Sequence, residues 1–370
     1  MNRYLLTGAA AVLLAGAAGA QETPLPDYYP ETYGEIVEGS RSENRLVIYS
    51  NMAAEQWAPV IDGFNARYPW IQVETLDLAS SEVLERFLAE TGTGASSADL
   101  LVTVAPDAWQ NILKRDVLQD YASPEAPHMP DWSIPEPGFY TVGVDPTLIV
   151  WNKQMLTPEQ VPSGLGDLAA KITEHPGAFP PGSLTTYSAH TGSYGYTLAH
   201  AVAARHGDAF WEWAAVFGPL TRPERANGQM LEKLTTGEYV LGYFIGAATT
   251  WNMVKDPQRA EILGWSFVSD GNPMTLRGMG IPDVAGNPNA AKLMLDTLLS
   301  HEGQVNLAKG GRTPLRPDVT PEDIGGAPTF ASISEALGDV EPILIDYDPA
   351  LLTDQQEFVA RWKQVYGISE

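Results

Sequence analysis

The sequence predicts an α/β protein of two lobes, each an open, mostly parallel sheet flanked by helices, with a ligand cleft between them. Three observations carry this. Short β-branched runs alternate with helix-period segments from residue 45 onward. The alternation occurs twice, on either side of an interval (residues 123–138) holding five prolines. The chain, 370 residues with 44% hydrophobic content, is long enough for two cores. Ligands of open α/β sheets bind beyond the C-terminal ends of the strands, and two facing lobes bring those ends around one cleft.

Residues 1–20 carry one early positive charge (Arg3), an apolar run through Leu14 and small residues at Ala18, Gly19 and Ala20. This is the pattern of a secretory signal cleaved before Gln21. The run is too short to span a membrane, and no later stretch approaches the roughly 20 apolar residues required. The expectation is an exported, soluble, unanchored protein of a bacterial periplasm. The absence of cysteine removes disulfides, thiolate chemistry and a lipid-modified anchor. A formal charge of −24 argues against nucleic acid or anionic lipid as partner. An anionic ligand would then need a local cationic or N–H-lined cleft.

Residues 21–44, rich in Pro, Tyr and Glu, read as an extended arm with a short helix near Tyr33 to Glu38. Strands follow at 45–49, 71–75 and 100–104, alternating with helices at 53–68, 82–90 and 107–114. A strand at 147–151 opens the second set. It continues with a strand at 184–187, helices at 194–206, 208–216 and 227–235, and a strand at 239–245. Return strands at 262–269 and 276–281 and a helix at 289–300 complete the pattern.

No catalytic constellation is found: six scattered histidines, no nucleophile elbow, no Walker loop and no G-x-G-x-x-G. The expectation is a binding protein without catalytic residues, metal or cofactor. Thr191, Gly192 and Ser193 form a turn between a strand and a helix, where free N–H groups, the helix dipole and two hydroxyls could seat an anion. The alternative is that they only cap their own helix. Ser80 and Ser81 offer a comparable helix start, with the same alternative. Ser50 and Asn51, which end the first strand, are further candidates. Arg277 has the guanidinium that suits carboxylate or phosphate, or else forms a surface ion pair.

The segments 45–74 (RLVIYSNMAAEQWAPVIDGFNARYPWIQVE), 98–103 (ADLLVT), 227–239 (NGQMLEKLTTGEY), 290–304 (AAKLMLDTLLSHEGQ) and 313–319 (TPLRPDV), in this order, resemble the periplasmic solute-binding proteins of ABC importers. The likeness is to the branch typified by ferric-iron-binding proteins. It implies a type II periplasmic-binding-protein fold, with residues 45–143 and 272–318 in lobe 1 and residues 144–271 and 319–370 in lobe 2. It places Thr191, Gly192, Ser193 and Asn227 on the anion side of the family site. The positions of the family's paired tyrosines hold Ala248 and Thr249, its histidine falls near Ala53, and its glutamate on Val104. Ferric iron wants anionic oxygen ligands, which Ala and Val do not supply, so the iron site looks lost. Asp145 stands where the family often has a base. It meets an amino group of the ligand if it faces the cleft, and is otherwise a solvated acid, the reading the sequence favours.

The resemblance implies a monomeric receptor that closes on a small anionic or zwitterionic organic solute: a phosphonate, a sugar or polyol phosphate, or a carboxylate. It would deliver that solute to the transmembrane subunits of an ABC importer. Thr249 is carried as a ligand-binding candidate with the residues above. Two alternatives stay open: ferric iron with a synergistic anion through Tyr49, Tyr187 or Tyr243, and a secreted α/β hydrolase.

Overall fold

The computed structural model describes residues 25–94 and 97–369; the expected secretory signal and the start of the arm lie outside them. In chain order the first elements are α1 (Tyr33–Glu43), β1 (Arg45–Ser50), α2 (Ala54–Arg67), β2 (Gln72–Asp77), α3 (Glu82–Gly92), β3 (Leu100–Thr103) and α4 (Pro106–Leu113). After the proline-rich interval come β4 (Phe139–Asn152), α5 (Leu165–Glu174), β5 (Leu184–Tyr187), α6 (Ser193–His206), α7 (Asp208–Phe217) and β6 (Thr221–Glu224). Next are α8 (Asn227–Thr236), β7 (Leu241–Gly246), α9 (Ala247–Met253), α10 (Pro257–Ile262), β8 (Leu263–Ser266) and β9 (Pro273–Gly280). The chain ends with α11 (Pro288–Leu299), α12 (His301–Lys309), α13 (Phe330–Leu337), β10 (Ile343–Ile345), α14 (Ala350–Thr353) and α15 (Gln355–Tyr366).

The strands form one hydrogen-bonded path, β2-β1-β3-β9-β4-β7-β5-β6, with β10 on β9 and β8 on β4. Strand β4 joins the two lobes. Its residues from Phe139 to Pro146 pair antiparallel with β9, and those from Thr147 onward pair with β7 and β8. The change of sheet therefore falls at Asp145 and Pro146. Away from this junction the pairings are parallel: β2-β1-β3 in lobe 1 and β7-β5-β6 in lobe 2. Only the second half of β4 was expected from the sequence. Gly143 and Pro146 are both poor strand formers and hide the first half.

Each lobe has its own core. In lobe 1 the apolar faces of α2 (Trp57, Val60, Phe64) and α11 (Leu295, Leu298) close over β1 and β3. In lobe 2, Phe210, Phe217, Tyr243 and Trp362 do the same. Helix α13 packs with the lobe 1 core through Ile333, whereas Ile343 and Ile345 of β10 belong to the lobe 2 core.

The arm is a docked helix, longer than the sequence suggests. Tyr28 and Tyr29 donate to the buried Glu125 at 3.0 and 2.7 Å, and Tyr33 donates to the buried Asp296 at 2.8 Å. Glu43 caps α11, accepting from the backbone N–H of Asn289 (3.1 Å) and Ala290 (2.7 Å), where the helix dipole favours a carboxylate. Arg41 lies over the Trp70 ring at 3.8 Å.

Candidate functional site

A cavity of about 220 Å³ lies between the lobes at the point where β4 changes sheets. Lobe 1 contributes Asn51 from the end of β1, Ser80 from before α3, Val104 from the end of β3, Arg277 from β9, and Arg312. Lobe 2 contributes Tyr187 from the end of β5, Tyr194, Asn227, and residues 246–249 at the start of α9. Asp145 and Pro146 form the junction wall.

The polar groups form one chain. Arg277, 1% exposed, donates through Nη2 to Asp145 Oδ2 at 2.6 Å and through Nη1 to Asn51 Oδ1 at 2.5 Å. The other Asp145 oxygen accepts from Arg312 Nη1 at 3.1 Å. Asn51 donates onward to Ser80 Oγ at 3.0 Å. Arg312 reaches this point because Val144 N–H donates to Thr313 C=O at 3.2 Å, tying the loop after α12 to β4.

Burial works against the Asp145 carboxylate, but the guanidiniums of Arg277 and Arg312 outweigh it and hold its pKa below the usual range. Burial also pulls Arg277 down to about 10 against the attraction of Asp145. Both partners therefore stay charged at neutral pH. Two guanidiniums against one carboxylate leave the cavity net positive, inside a chain of formal charge −24. The Nε of Arg312 is buried and has no acceptor among the described residues. Tyr187 and Tyr194 meet edge to face at 4.8 Å, and burial pushes both phenols well above their ordinary pKa.

The structure brings Asn51, Ser80, Asn227, Thr249 and Arg277 together at this cavity. Asn227 has a holding role: its amide accepts from Gly246 N–H at 2.9 Å and donates to Gly246 C=O at 3.2 Å, pinning the turn that starts α9. Ser50 is elsewhere; buried in lobe 1, its hydroxyl accepts from Trp57 Nε1 at 2.8 Å. Ser81 does not line the cavity either. Thr191, Gly192 and Ser193 stand outside it too. Thr191 donates to Ser188 Oγ at 2.8 Å, and Ser193 donates across the lobes to Asp107 Oδ1 at 2.7 Å. That turn bridges α6 to α4, and only the next residue, Tyr194, reaches the cavity. Asp145, read as a solvated acid, instead faces the cleft between two arginines.

Arg312 was missed. In the sequence it follows Gly310 and Gly311 after a helix, where a basic residue commonly serves the helix C-terminus. Of the positions aligned to iron ligands, Val104, Ala248 and Thr249 do line the cavity, and they offer no anionic oxygen. Among the described residues, no group of three or more His, Asp or Glu could hold a metal ion. Of the alternative tyrosines only Tyr187 is at the cavity. Tyr49 donates to Glu90 at 2.9 Å, and Tyr243 is buried beside Tyr366 at 3.0 Å.

Residues 49–305 match the profile of the bacterial extracellular solute-binding proteins. The chain belongs to that family. Solute binding accounts for a cavity at the junction of two lobes. Solved structures share the fold. A substrate-binding protein of an ABC transporter from Agrobacterium tumefaciens matches with a TM-score of 0.73 at 22% identity, over 89% of this chain and 97% of that one. Iron-bound HitA from Pseudomonas aeruginosa matches with a TM-score of 0.68 at 16% identity, over 87% and 99%. The periplasmic binding protein AfuA from Actinobacillus pleuropneumoniae, with fructose-6-phosphate bound, matches with a TM-score of 0.65 at 18% identity, over 88% and 99%. No curated protein matches this solute-binding protein in sequence. No helix among the described residues is long and apolar enough to cross a membrane.

Proposed function

We propose that this solute-binding protein is the periplasmic receptor of an ABC importer for a small anionic or zwitterionic organic solute. The classes that fit are a phosphonate, a sugar or polyol phosphate, and a carboxylate. The observation that supports this reading is the excess of guanidinium over carboxylate at the lobe junction, with Arg312 still holding a buried N–H to offer. Arg277 is the less available cation, because Asp145 and Asn51 already occupy its terminal nitrogens. Its role is to hold Asp145 and Asn51 in place. Asp145 keeps lone pairs beyond those the arginines use, so the amino group of a zwitterion has an acceptor there.

Because the cavity sits where β4 passes between sheets, a ligand touching both lobes favours the closed arrangement by its differential affinity for it. An importer that recognises the closed form then engages only loaded receptor. The fold also carries iron in HitA and fructose-6-phosphate in AfuA, so fold alone does not choose the cargo. Electrostatics supports an organic anion over ferric iron. A ferric ion beside two guanidiniums is repelled, and the buried Tyr187 and Tyr194 resist becoming the phenolates iron requires.

A thermal-shift screen of the mature protein against anionic and zwitterionic metabolites, with ferric iron included, tests this. Ligands that bind only the folded state raise its melting temperature. A shift with an organic anion supports the reading. A shift with iron alone, with a visible absorption band, contradicts it.

A further inference from the structure

Past Arg312 the cleft opens into a second compartment. It encloses about 600 Å³, nearly three times the inner cavity, and Ala248, Thr249 and Arg312 are walls of both. The inner cavity has the volume of about seven water molecules, enough for a phosphate or carboxylate head on a short carbon chain. A solute no larger than that head would leave the outer compartment to solvent.

The outer walls are built differently from the inner ones. On one side runs α9, presenting Thr249, Trp251 and Asn252. Facing it are the start of α2 and the turns at residues 310–312 and 325–328. Gly325 and Gly326 adopt φ of 69° and 83°, which glycine takes without strain, so this wall is bare backbone. The charged groups of the compartment other than Arg312 (Glu55, Lys255 and Lys309) are exposed, where solvent screens them. Its remaining polar side chains are uncharged, and of these Gln56 is committed to the start of α2, accepting from Ala53 N–H at 3.0 Å. The Trp251 indole N–H is buried without an acceptor among the described residues. Neither the Thr249 hydroxyl nor the Asn252 amide has a partner among them. An aromatic face beside free neutral donors and acceptors suits a body that is apolar on its C–H faces and rich in hydroxyls.

We infer that the ligand is bipartite: an anionic head against Arg312 in the inner cavity, and an uncharged polyhydroxy body in the outer compartment against Trp251, Thr249 and Asn252. The inference rests on the anion reading above. Calorimetric titration with matched probes tests it: inorganic phosphate and acetate as heads alone, glucose 6-phosphate and gluconate as heads with bodies. In the wild-type protein at least one bodied probe binds tenfold or more tighter than its head alone. Trp251→Phe, which keeps an aromatic ring but removes the pyrrole half of the indole with its N–H, and Asn252→Ala, at an exposed position, each lower that ratio about threefold or more. A wild-type ratio near one, or a ratio unmoved in both variants, overturns the outer subsite and leaves the anion reading standing. Failure of all four probes to bind counts against the anion reading itself.

Discussion

Two buried polar clusters occupy this acidic chain, and they are built on opposite principles. Under the N-terminal arm, Asp296 accepts from Tyr33, Tyr121 and Ser123 at 2.8, 2.7 and 2.5 Å, while Glu125 accepts from Tyr28, Tyr29 and the Arg316 guanidinium. Carboxylates there outnumber cations, and their oxygens are taken up by neutral hydroxyl donors together with the single guanidinium of Arg316. At the lobe junction, Arg277 and Arg312 outnumber Asp145, and the buried Arg312 Nε–H has no acceptor among the described residues. The first arrangement is closed and fastens a helix. The second is open, charged, and set at the strand that joins the lobes. What separates a binding site from a structural network here is the uncommitted donor.

Truncation at the junction should have the largest effect on stability. Asp145→Ala leaves the buried Arg277 without its carboxylate and is expected to destabilise the protein by about 3–5 kcal/mol, read from urea unfolding. A loss below about 1 kcal/mol would mean that the cluster is solvated in the free protein.

The arm cluster should titrate in the opposite direction. Burial raises the Asp296 carboxyl to about 6, despite the hydrogen bonds from Ser123, Tyr121 and Tyr33 that pull it down. The folded chain therefore binds this proton more tightly than the unfolded one, whose aspartates titrate near 3.9. Protonation of Asp296 favours folding below about pH 4, and that contribution disappears as pH rises through about 6, a change of about 3 kcal/mol. Asp296→Asn removes this dependence. The stability of the wild type relative to the variant should fall between pH 4 and 7, and a flat difference would refute the shifted carboxyl.

The smallest effect is expected from single donors in the closed cluster. Tyr33→Phe removes one hydrogen bond to Asp296 and should cost about 1–2 kcal/mol. Ligand affinity should be unchanged, because the arm lies outside the cleft. A change in affinity would show that the two clusters communicate.

The elements that were legible in the sequence are those with a strong local period. Trp57, Val60 and Phe64 announce α2, and the β-branched or apolar runs announce β1, β3 and β5. The half of β4 that joins the lobes was hidden, because Gly143, Asp145 and Pro146 serve the junction rather than strand propensity. Cavity-lining residues at strand ends, such as Asn51, are legible because the fold class puts ligands there. The 191–193 turn has the right chemistry but faces α4, since the direction of a helix start depends on how two lobes pack, which no local pattern encodes. Arg312 is brought to Asp145, 167 positions away, by the backbone bridge between Val144 and Thr313, a relation invisible in one sequence.

The central claim is that Arg312 supplies the anion contact in the cleft. Its most direct test is calorimetric titration of the wild type and Arg312→Ala with the organic anion giving the largest thermal shift, circular dichroism confirming the fold of both. Loss of a charge-assisted contact of about 2–3 kcal/mol predicts affinity lower by about 30- to 150-fold in the variant, with stability within about 1 kcal/mol of the wild type. Equal affinity in the two proteins would contradict the account and place the solute elsewhere.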